Sequence, residues 1–295
     1  MPDTPSLSLP EAELQRLEAN FPERVVEVGG GAQVSVRESG QGPVLLCLHG
    51  IGSGAASWLE VAQQLAGHAR VIAWDAPGYG DSTTVVPYAP WAVAYADRLR
   101  MLLDALQVER CVLVGHSLGA LMAGAAARQD STMAPRIARL VLMSPARGYG
   151  SPARAQDAAR VRAERLESLV RLGVAGMAAQ RSGRLLSDGA GEQQRAWVRW
   201  NMARLNESGY RQAVELLCGD DLLGYLPPAM PVRVLCGEQD VVTPPAACAE
   251  VAAACGVALE LLARAGHACY VEQPQAVSAV LKAELESAFL PTSKG

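Results

Sequence analysis

The chain of 295 residues has no excess of basic residues, since 26 Lys and Arg stand against 30 Asp and Glu and the formal net charge is −4. A nucleic-acid partner would require clustered positive charge, so we expect none. No apolar run approaches the roughly 20 residues that cross a bilayer, so we expect no membrane partner either. The opening residues 1–5 lack the basic and apolar regions of a signal peptide. These features predict a cytoplasmic protein.

The spacing of the cysteines and histidines does not indicate a metal site. The seven cysteines are an odd number without C-x-x-C spacing, and we expect reduced thiols. No cluster of metal-ligating residues and no phosphate-binding loop stands out, so the sequence predicts no metal and no cofactor. With only four histidines, few side chains can serve as a general base near neutral pH.

The order of predicted elements indicates an α/β fold. Half of the residues are apolar, which permits a sizeable core. An opening hairpin precedes alternating strands and helices, the pattern of a mostly parallel sheet covered by helices on both faces. The alternation stops near residue 148, and helical patterns continue to about residue 223. We therefore predict a core of residues 1–147 and 228–295 with an inserted helical cap, residues 148–227.

The most informative segment is Gly-His-Ser-Leu-Gly at 115–119. An apolar strand at 110–114 precedes it, and a run of small helix-forming residues at 120–127 follows it. This is the context of a G-x-S-x-G nucleophile elbow, in which the central serine projects from a strained turn. Gly115 and Gly119 supply the small neighbours that such a turn requires.

A nucleophilic serine needs a base and a group that orients the base. Asp240 and His267 each follow a predicted strand, and the chain order Ser, acid, His is that of this architecture. We therefore expect a catalytic triad of Ser117, Asp240 and His267. The amide groups of Leu118 and Ile51 are the expected oxyanion donors, with Gly52 as the second choice to Ile51.

Some residues are candidates for lining the pocket. Gly52 and His116 lie within the motifs, although His116 and His49 are more typical of structural hydrogen-bonding residues. In the cap, large side chains are candidates for setting substrate size, although such residues more often form cap core; they are Met177, Trp197, Trp200 and Met202.

Four segments resemble the α/β-hydrolase superfamily: residues 49–58, 75–82, the elbow at 115–119, and the acid and histidine loops at 237–240 and 266–267. Segments 240–245 and 266–274 are most similar to the 3-oxoadipate enol-lactonase and small carboxylesterase branch. The resemblance implies an α/β-hydrolase fold with an eight-stranded sheet. It also implies a serine hydrolase that cleaves a carboxylic ester or an (enol-)lactone of a small organic substrate through an acyl-enzyme.

Other activities remain open. C–C bond hydrolases of the superfamily commonly have a G-N-S-x-G-G elbow and a Trp after the catalytic His, whereas this chain has His116, Ala120 and Ala268 there. A triad does not separate hydrolysis from acyl transfer, and some members are ligand receptors. The segment 50–55 with Asp75 also resembles a dinucleotide-binding fingerprint, but Asp75 precedes Ala-Pro-Gly, which favours a turn. Both a monomer and a homodimer are open.

Overall fold

The computed structural model describes residues 6–289. It contains one eight-stranded sheet in the order β1-β2-β4-β3-β5-β6-β7-β8. The first two pairings, β1 with β2 and β2 with β4, are antiparallel, and the others are parallel. The strands are β1 Glu23–Gly29, β2 Ala32–Ser39, β3 Val44–Leu48, β4 Arg70–Trp74, β5 Cys111–His116, β6 Ile137–Met143, β7 Val232–Gly237 and β8 Leu259–Leu262. The predicted mostly parallel sheet is confirmed.

The central strands are buried on both faces. Every residue of β3 and β5 is buried. Because strand side chains alternate in direction, Leu46 and Leu48 pack into one apolar core while Leu45 and Cys47 pack into the other. Near-continuous apolar runs of this kind are expected of parallel strands with helices on both sides.

Helices cover both faces of the sheet, as predicted. Helices α3, α4 and α8 contribute to the first core, and α1, α2, α9 and α10 contribute to the second. Their bounds are α1 Glu11–Asn20, α2 Leu59–Leu65, α3 Ala92–Ala105, α4 Leu118–Ala127, α8 Pro245–Cys255, α9 Cys269–Glu272 and α10 Pro274–Phe289. The α1 helix buries Leu17, and its Arg16 forms an ion pair with Glu60 of α2.

Three helices lie between β6 and β7, where the sequence predicts a cap: α5 Ala155–Arg181, α6 Glu192–Ala203 and α7 Glu207–Gly219. Helix α5 packs against both α6 and α7. It is interrupted at Gly173, whose φ of 62° is open to glycine at little cost. Helix α5 is therefore one element that bends at Gly173.

Among residues 6–289, none of the helices combines the length and the apolar character that crossing a bilayer requires.

Candidate active site

Ser117 occupies a sharp turn between a strand and a helix. It follows the last residue of β5 and precedes the first residue of α4, with φ 53° and ψ −117°. A non-glycine residue at positive φ is strained, and such strain concentrates at functional sites. The neighbours leave no room for side chains, because a Cβ on Gly115 would lie 2.6 Å from the Gly119 carbonyl oxygen and one on Gly119 would lie 2.5 Å from that of Leu48. The elbow geometry predicted from 115–119 is present.

Asp240 and His267 form a hydrogen-bonded pair at the ends of neighbouring strands. Asp240 follows β7 and His267 follows β8, and His267 Nδ1 lies 2.8 Å from Asp240 Oδ2. The carboxylate only accepts, so His267 Nδ1 donates to Oδ2 and Nε2 is not engaged by Asp240. Both side chains are almost fully buried.

The second carboxylate oxygen of Asp240 is held by the backbone. Oδ1 accepts hydrogen bonds from the amides of Val242 and Thr243 at 2.8 and 2.9 Å. Burial alone would raise the pKa of Asp240, but the hydrogen bond and charge of His267 together with these amides lower it to about 2. The group is thus an anion throughout the neutral range, as an orienting carboxylate must be.

Thr243 joins this pair and has no signal in the sequence patterns. Its hydroxyl lies 2.9 Å from Asp240 Oδ2, 2.9 Å from the Ser144 carbonyl oxygen and 3.1 Å from His267 Nδ1. Since the carboxylate and the carbonyl only accept, the hydroxyl donates its one proton toward them and can accept from Nδ1. Thr243 therefore fixes the imidazole and the carboxylate relative to β6.

Ser117 and His267 line the same cavity, whose volume is about 640 Å³. No hydrogen bond joins the Ser117 hydroxyl to His267 or to any other residue within 6–289. Contacts between nucleophile and base are often loose in ligand-free enzymes and tighten when substrate binds. The structure therefore brings Ser117 and His267 to one cavity, and Asp240 is hydrogen-bonded to His267 without lining the cavity itself.

The expected oxyanion donors also line this cavity, as does Gly52. Leu118 is the first residue of α4, so its amide has no acceptor within the helix. Ile51 lies in the turn after β3, and its carbonyl oxygen accepts from Tyr79 Oη at 3.0 Å. That bond fixes the peptide between Ile51 and Gly52, which carries the Gly52 amide.

His49 and His116 have hydrogen-bond roles that fix their tautomers. The Ala76 amide donates to His49 Nε2, so Nδ1 donates to the Gly50 carbonyl. His116 Nε2 donates to the His267 carbonyl at 2.9 Å, and its Nδ1 is buried without a partner among the described residues. Burial lowers the pKa of both rings, and burial together with the charge of His267 lowers that of His116 to about 3. The lowered pKa values keep both rings neutral near pH 7.

One face of α6 lines the cavity. The lining residues Val198, Asn201 and Met202 follow helical spacing, and Leu205, beyond the end of α6, also lines the cavity. Trp197 lies outside the cavity lining, contrary to its candidacy as a pocket residue, because it stacks on Trp200 with ring centroids 5.3 Å apart. Met177 lines the cavity, and Trp200 does not.

The comparison with protein families identifies the chain. The model of the alpha/beta hydrolase fold matches residues 43–274, which include the elbow, Asp240 and His267. The chain belongs to the α/β-hydrolase family.

This α/β-hydrolase is similar in sequence or in structure to several other proteins. An uncharacterised protein of Mycobacterium tuberculosis is 29% identical over 263 residues, covering 83% of this chain and 75% of the relative. A thermophilic esterase of Thermogutta terrifontis superposes with a TM-score of 0.76 at 24% identity, covering 90% of this chain and 98% of the esterase. An enol-lactonase of Burkholderia xenovorans superposes with a TM-score of 0.77 at 23% identity, covering 88% and 99%. At these identities the solved structures show a shared fold.

Asp75 has a structural role in this α/β-hydrolase. Its Oδ1 accepts from the Ala55 amide at 2.8 Å, and its Oδ2 accepts from the Ser35 hydroxyl at 3.1 Å. A Cβ on Gly54 or Gly80 would lie within 3 Å of the carboxylate oxygens. The carboxylate is therefore enclosed by the turns after β3 and β4, and the interpretation of 50–75 as a dinucleotide site is wrong.

Proposed function

We propose that the protein is a serine hydrolase that cleaves a carboxylic ester or lactone of a small organic substrate through an acyl-enzyme. Ser117 is the nucleophile, His267 the general base and Asp240 the group that orients and stabilises the imidazolium. The observation that carries this proposal is that strained Ser117 lines the same cavity as His267, whose Nδ1 is hydrogen-bonded to Asp240. Two carboxylates or a metal centre would support other hydrolytic chemistry, whereas a hydroxyl, an imidazole and a buried carboxylate support acyl transfer.

In the first half-reaction, Ser117 Oγ forms a bond to the substrate carbonyl carbon while its proton passes to His267 Nε2. The carbonyl electron pair moves onto oxygen, and the amides of Ile51 and Leu118 donate to that oxyanion. The intermediate then collapses, the bond to the leaving oxygen breaks, and His267 gives its proton to that oxygen. An ester releases its alcohol, whereas a lactone keeps the opened chain attached to Ser117.

In the second half-reaction, water replaces the leaving group and the same groups act again. His267 Nε2 takes a proton from water as the water oxygen bonds to the acyl carbon. The second tetrahedral intermediate collapses, and the Ser117 oxygen leaves with the proton from His267. The released product is a carboxylic acid. The esterase and the enol-lactonase that share the fold support this reaction class.

Hydrolysis of short p-nitrophenyl esters and labelling by a fluorophosphonate test the proposal. We expect nitrophenol release by the wild type and a single label on Ser117. Ser117→Ala should abolish labelling and lower kcat by at least about 10³-fold, because it removes the atom that forms the acyl-enzyme. Ser53, which also lines the cavity but is not part of the elbow, is the matched control. Ser53→Ala should keep the label and most of the turnover.

Products identify which member of the reaction class is correct. Release of an acid from an ester or enol-lactone supports hydrolysis, and transfer of the acyl group to an added alcohol in preference to water supports an acyltransferase. Cleavage of a vinylogous diketone with no ester turnover would support a C–C bond hydrolase. If the folded wild type neither turns over these substrates nor is labelled at Ser117, the result would contradict the proposal of a serine hydrolase and favour a ligand receptor.

A further inference from the structure

The charges that line the cavity are unbalanced. Six arginines line it, against two acidic residues, Glu164 and Glu250. The arginines are Arg147, Arg154, Arg160, Arg165, Arg181 and Arg184. The mechanism of ester cleavage uses none of these guanidinium groups.

Three of the six are satisfied by the protein itself. Arg147 and Arg160 each form two ion pairs at 3.0 to 3.3 Å, and Arg154 donates to a backbone carbonyl while it lies over the Tyr149 ring. Their partners are Asp157, Glu164, Asp221, Glu250 and the carbonyl of Gly148. Both acidic residues of the lining are thus already engaged.

The other three form a group that we call the arginine cluster: Arg165, Arg181 and Arg184. None of them forms an ion pair with a carboxylate among residues 6–289. The Nη1 atom of Arg181 is fully buried and has no hydrogen-bond partner there. Arg165 donates to the Tyr210 hydroxyl at 3.3 Å, which leaves most of its donors free.

Gathering these cations has an electrostatic cost. Burial lowers the pKa of Arg181, and the charges of Arg165 and Arg184 lower it further, while Tyr210 and Glu164 oppose this. Buried guanidinium donors without acceptors are unfavourable, and like charges close together add to that. An anionic group with several acceptor oxygens would relieve both terms, as arginine forks bind carboxylates and phosphates in a bidentate manner.

The arginine cluster is connected to the catalytic loop. Arg181 ends α5, and residues 182–185 form a short 3-10 turn that contains Arg184. At its end the Leu185 carbonyl accepts from the Ala268 amide at 2.7 Å, directly after His267. The Leu185 side chain and Met202 also approach Gly52 in the oxyanion loop. One substrate can therefore reach both the elbow and the cluster within the same cavity.

We propose that the arginine cluster, with the Tyr210 hydroxyl, binds an anionic oxygen group of the substrate at a distance from the reacting carbonyl. The substrate is then an ester or lactone that carries a carboxylate or a phosphate. This proposal rests on the proposed hydrolase function for its kinetic form, and binding tests it separately. Carboxylate and phosphate share the required chemistry, so one probe of each is needed.

Turnover is measured with a matched set of p-nitrophenyl esters. The acyl chains end in a carboxylate, in its neutral carboxamide or in a phosphate, with the carboxylate series running from succinate to suberate. We expect kcat/KM to be about 10- to 100-fold higher for one of the anionic esters than for the carboxamide, the range of charge-assisted hydrogen bonds. The anion that gives the larger kcat/KM relative to the carboxamide identifies whether the site binds a carboxylate or a phosphate.

Substitutions test whether the arginine cluster causes the preference for anionic esters. Arg181→Met should remove most of it while it changes turnover of the carboxamide ester by less than about 3-fold. Arg181→Lys keeps the charge without the planar fork and should retain part of the preference. The matched control is Arg171→Met, since Arg171 is an exposed residue of α5 outside the cavity lining. It should leave the preference unchanged.

Calorimetric binding to Ser117→Ala separates this proposal from the hydrolase function. The affinities of adipate, hexyl phosphate and the neutral hexanamide are measured separately. Each ligand is titrated into the Ser117→Ala variant and into the double variant Ser117→Ala with Arg181→Met. Tighter binding of an anion that Arg181→Met weakens about 10-fold or more supports the arginine cluster even if no ester is cleaved. Equal binding of anions and amide, or an anion preference that survives Arg181→Met, would overturn it even if ester hydrolysis is confirmed.

Discussion

His267 Nδ1 and Asp240 Oδ2 lie 2.8 Å apart although each follows a different strand of the sheet. The parallel pairing of β7 with β8, in which Val234 is opposite Leu259, brings the two loops to one edge. The Asp240 carboxylate accepts two backbone amide hydrogen bonds at Oδ1, and these fix the orientation in which Oδ2 contacts the imidazole. The position of the His267 imidazole is therefore set by the sheet register and by the loop that follows β7.

Asp240→Asn should keep the shape of this loop and lose the anion. An amide can present its N–H to His267 Nδ1, which would favour the tautomer with a protonated Nε2 that cannot act as a base. We expect kcat for a p-nitrophenyl ester to fall by about 10⁴-fold with a small change in KM. Burst-phase kinetics check this, because acylation itself should slow. An unchanged burst would contradict the assigned role.

The same substitution should alter the acid limb of stability. The carboxyl titrates near 3.8 in the unfolded chain and near 2 in the fold, so its stabilising contribution is complete above the first value and is lost as pH falls through the second. A shift of this size corresponds to about 2 kcal/mol. Urea unfolding between pH 5 and pH 2 should therefore show a loss in the wild type that exceeds the loss in Asp240→Asn by about that amount.

Thr243 should act as a positioning residue. Thr243→Val keeps the shape and removes the hydroxyl that bridges Asp240 and His267, so we expect kcat to fall about 3- to 10-fold with KM nearly unchanged. Thr243→Ser restores the hydroxyl and should recover most of kcat. A purely structural role would instead lower the melting temperature in both variants and leave kcat of the folded fraction intact.

Local patterns predicted much of this molecule. The strand predicted at 110–114 is found as β5, Cys111–His116, because a short apolar run bounded by turn residues has few alternatives. Ser117, Asp240 and His267 were identified from strand ends and chain order, since the ends of parallel strands meet at one sheet edge. The catalytic role of the three stays a prediction that activity measurements must test.

Contacts between distant segments could not be predicted. The His116 bond to the His267 carbonyl joins residues 151 positions apart, and no periodicity encodes it. In α6, Trp197 and Val198 differ by one position on the helix, yet only Val198 lines the cavity. The angle at which α6 docks decides between neighbouring faces, and one sequence does not contain that angle.

Gly119 should be intolerant of even a methyl group. A Cβ there would lie 2.5 Å from the Leu48 carbonyl oxygen and 2.8 Å from that of His49, and backbone atoms cannot rotate away. We expect Gly119→Ala to lower the free energy of unfolding by about 1–3 kcal/mol, as overpacking does. Gly219→Ala is the matched control, since its Cβ meets no atom within 4 Å. It should be neutral or slightly stabilising in urea unfolding, and equal losses in both would argue against the steric explanation.

His116 should make stability depend on pH just below neutrality. Its pKa is lowered from 6.5 to about 3 by burial and by the charge of His267, so the unfolded chain binds the extra proton throughout that interval. Stability then rises with pH between the two values and is lost as pH falls from about 6.5 toward 3. Each pH unit inside the interval corresponds to about 1.4 kcal/mol.

His116→Gln separates this titration from the hydrogen bond. Glutamine keeps an N–H that can donate to the His267 carbonyl, but it does not titrate. Between pH 7 and pH 5 the wild type should lose about 2 kcal/mol more of its free energy of unfolding than the variant does, as measured by urea unfolding at both values. Parallel losses in the two proteins would mean that His116 is protonated as readily in the fold as in the unfolded chain, which its enclosure against Tyr270 and His267 argues against.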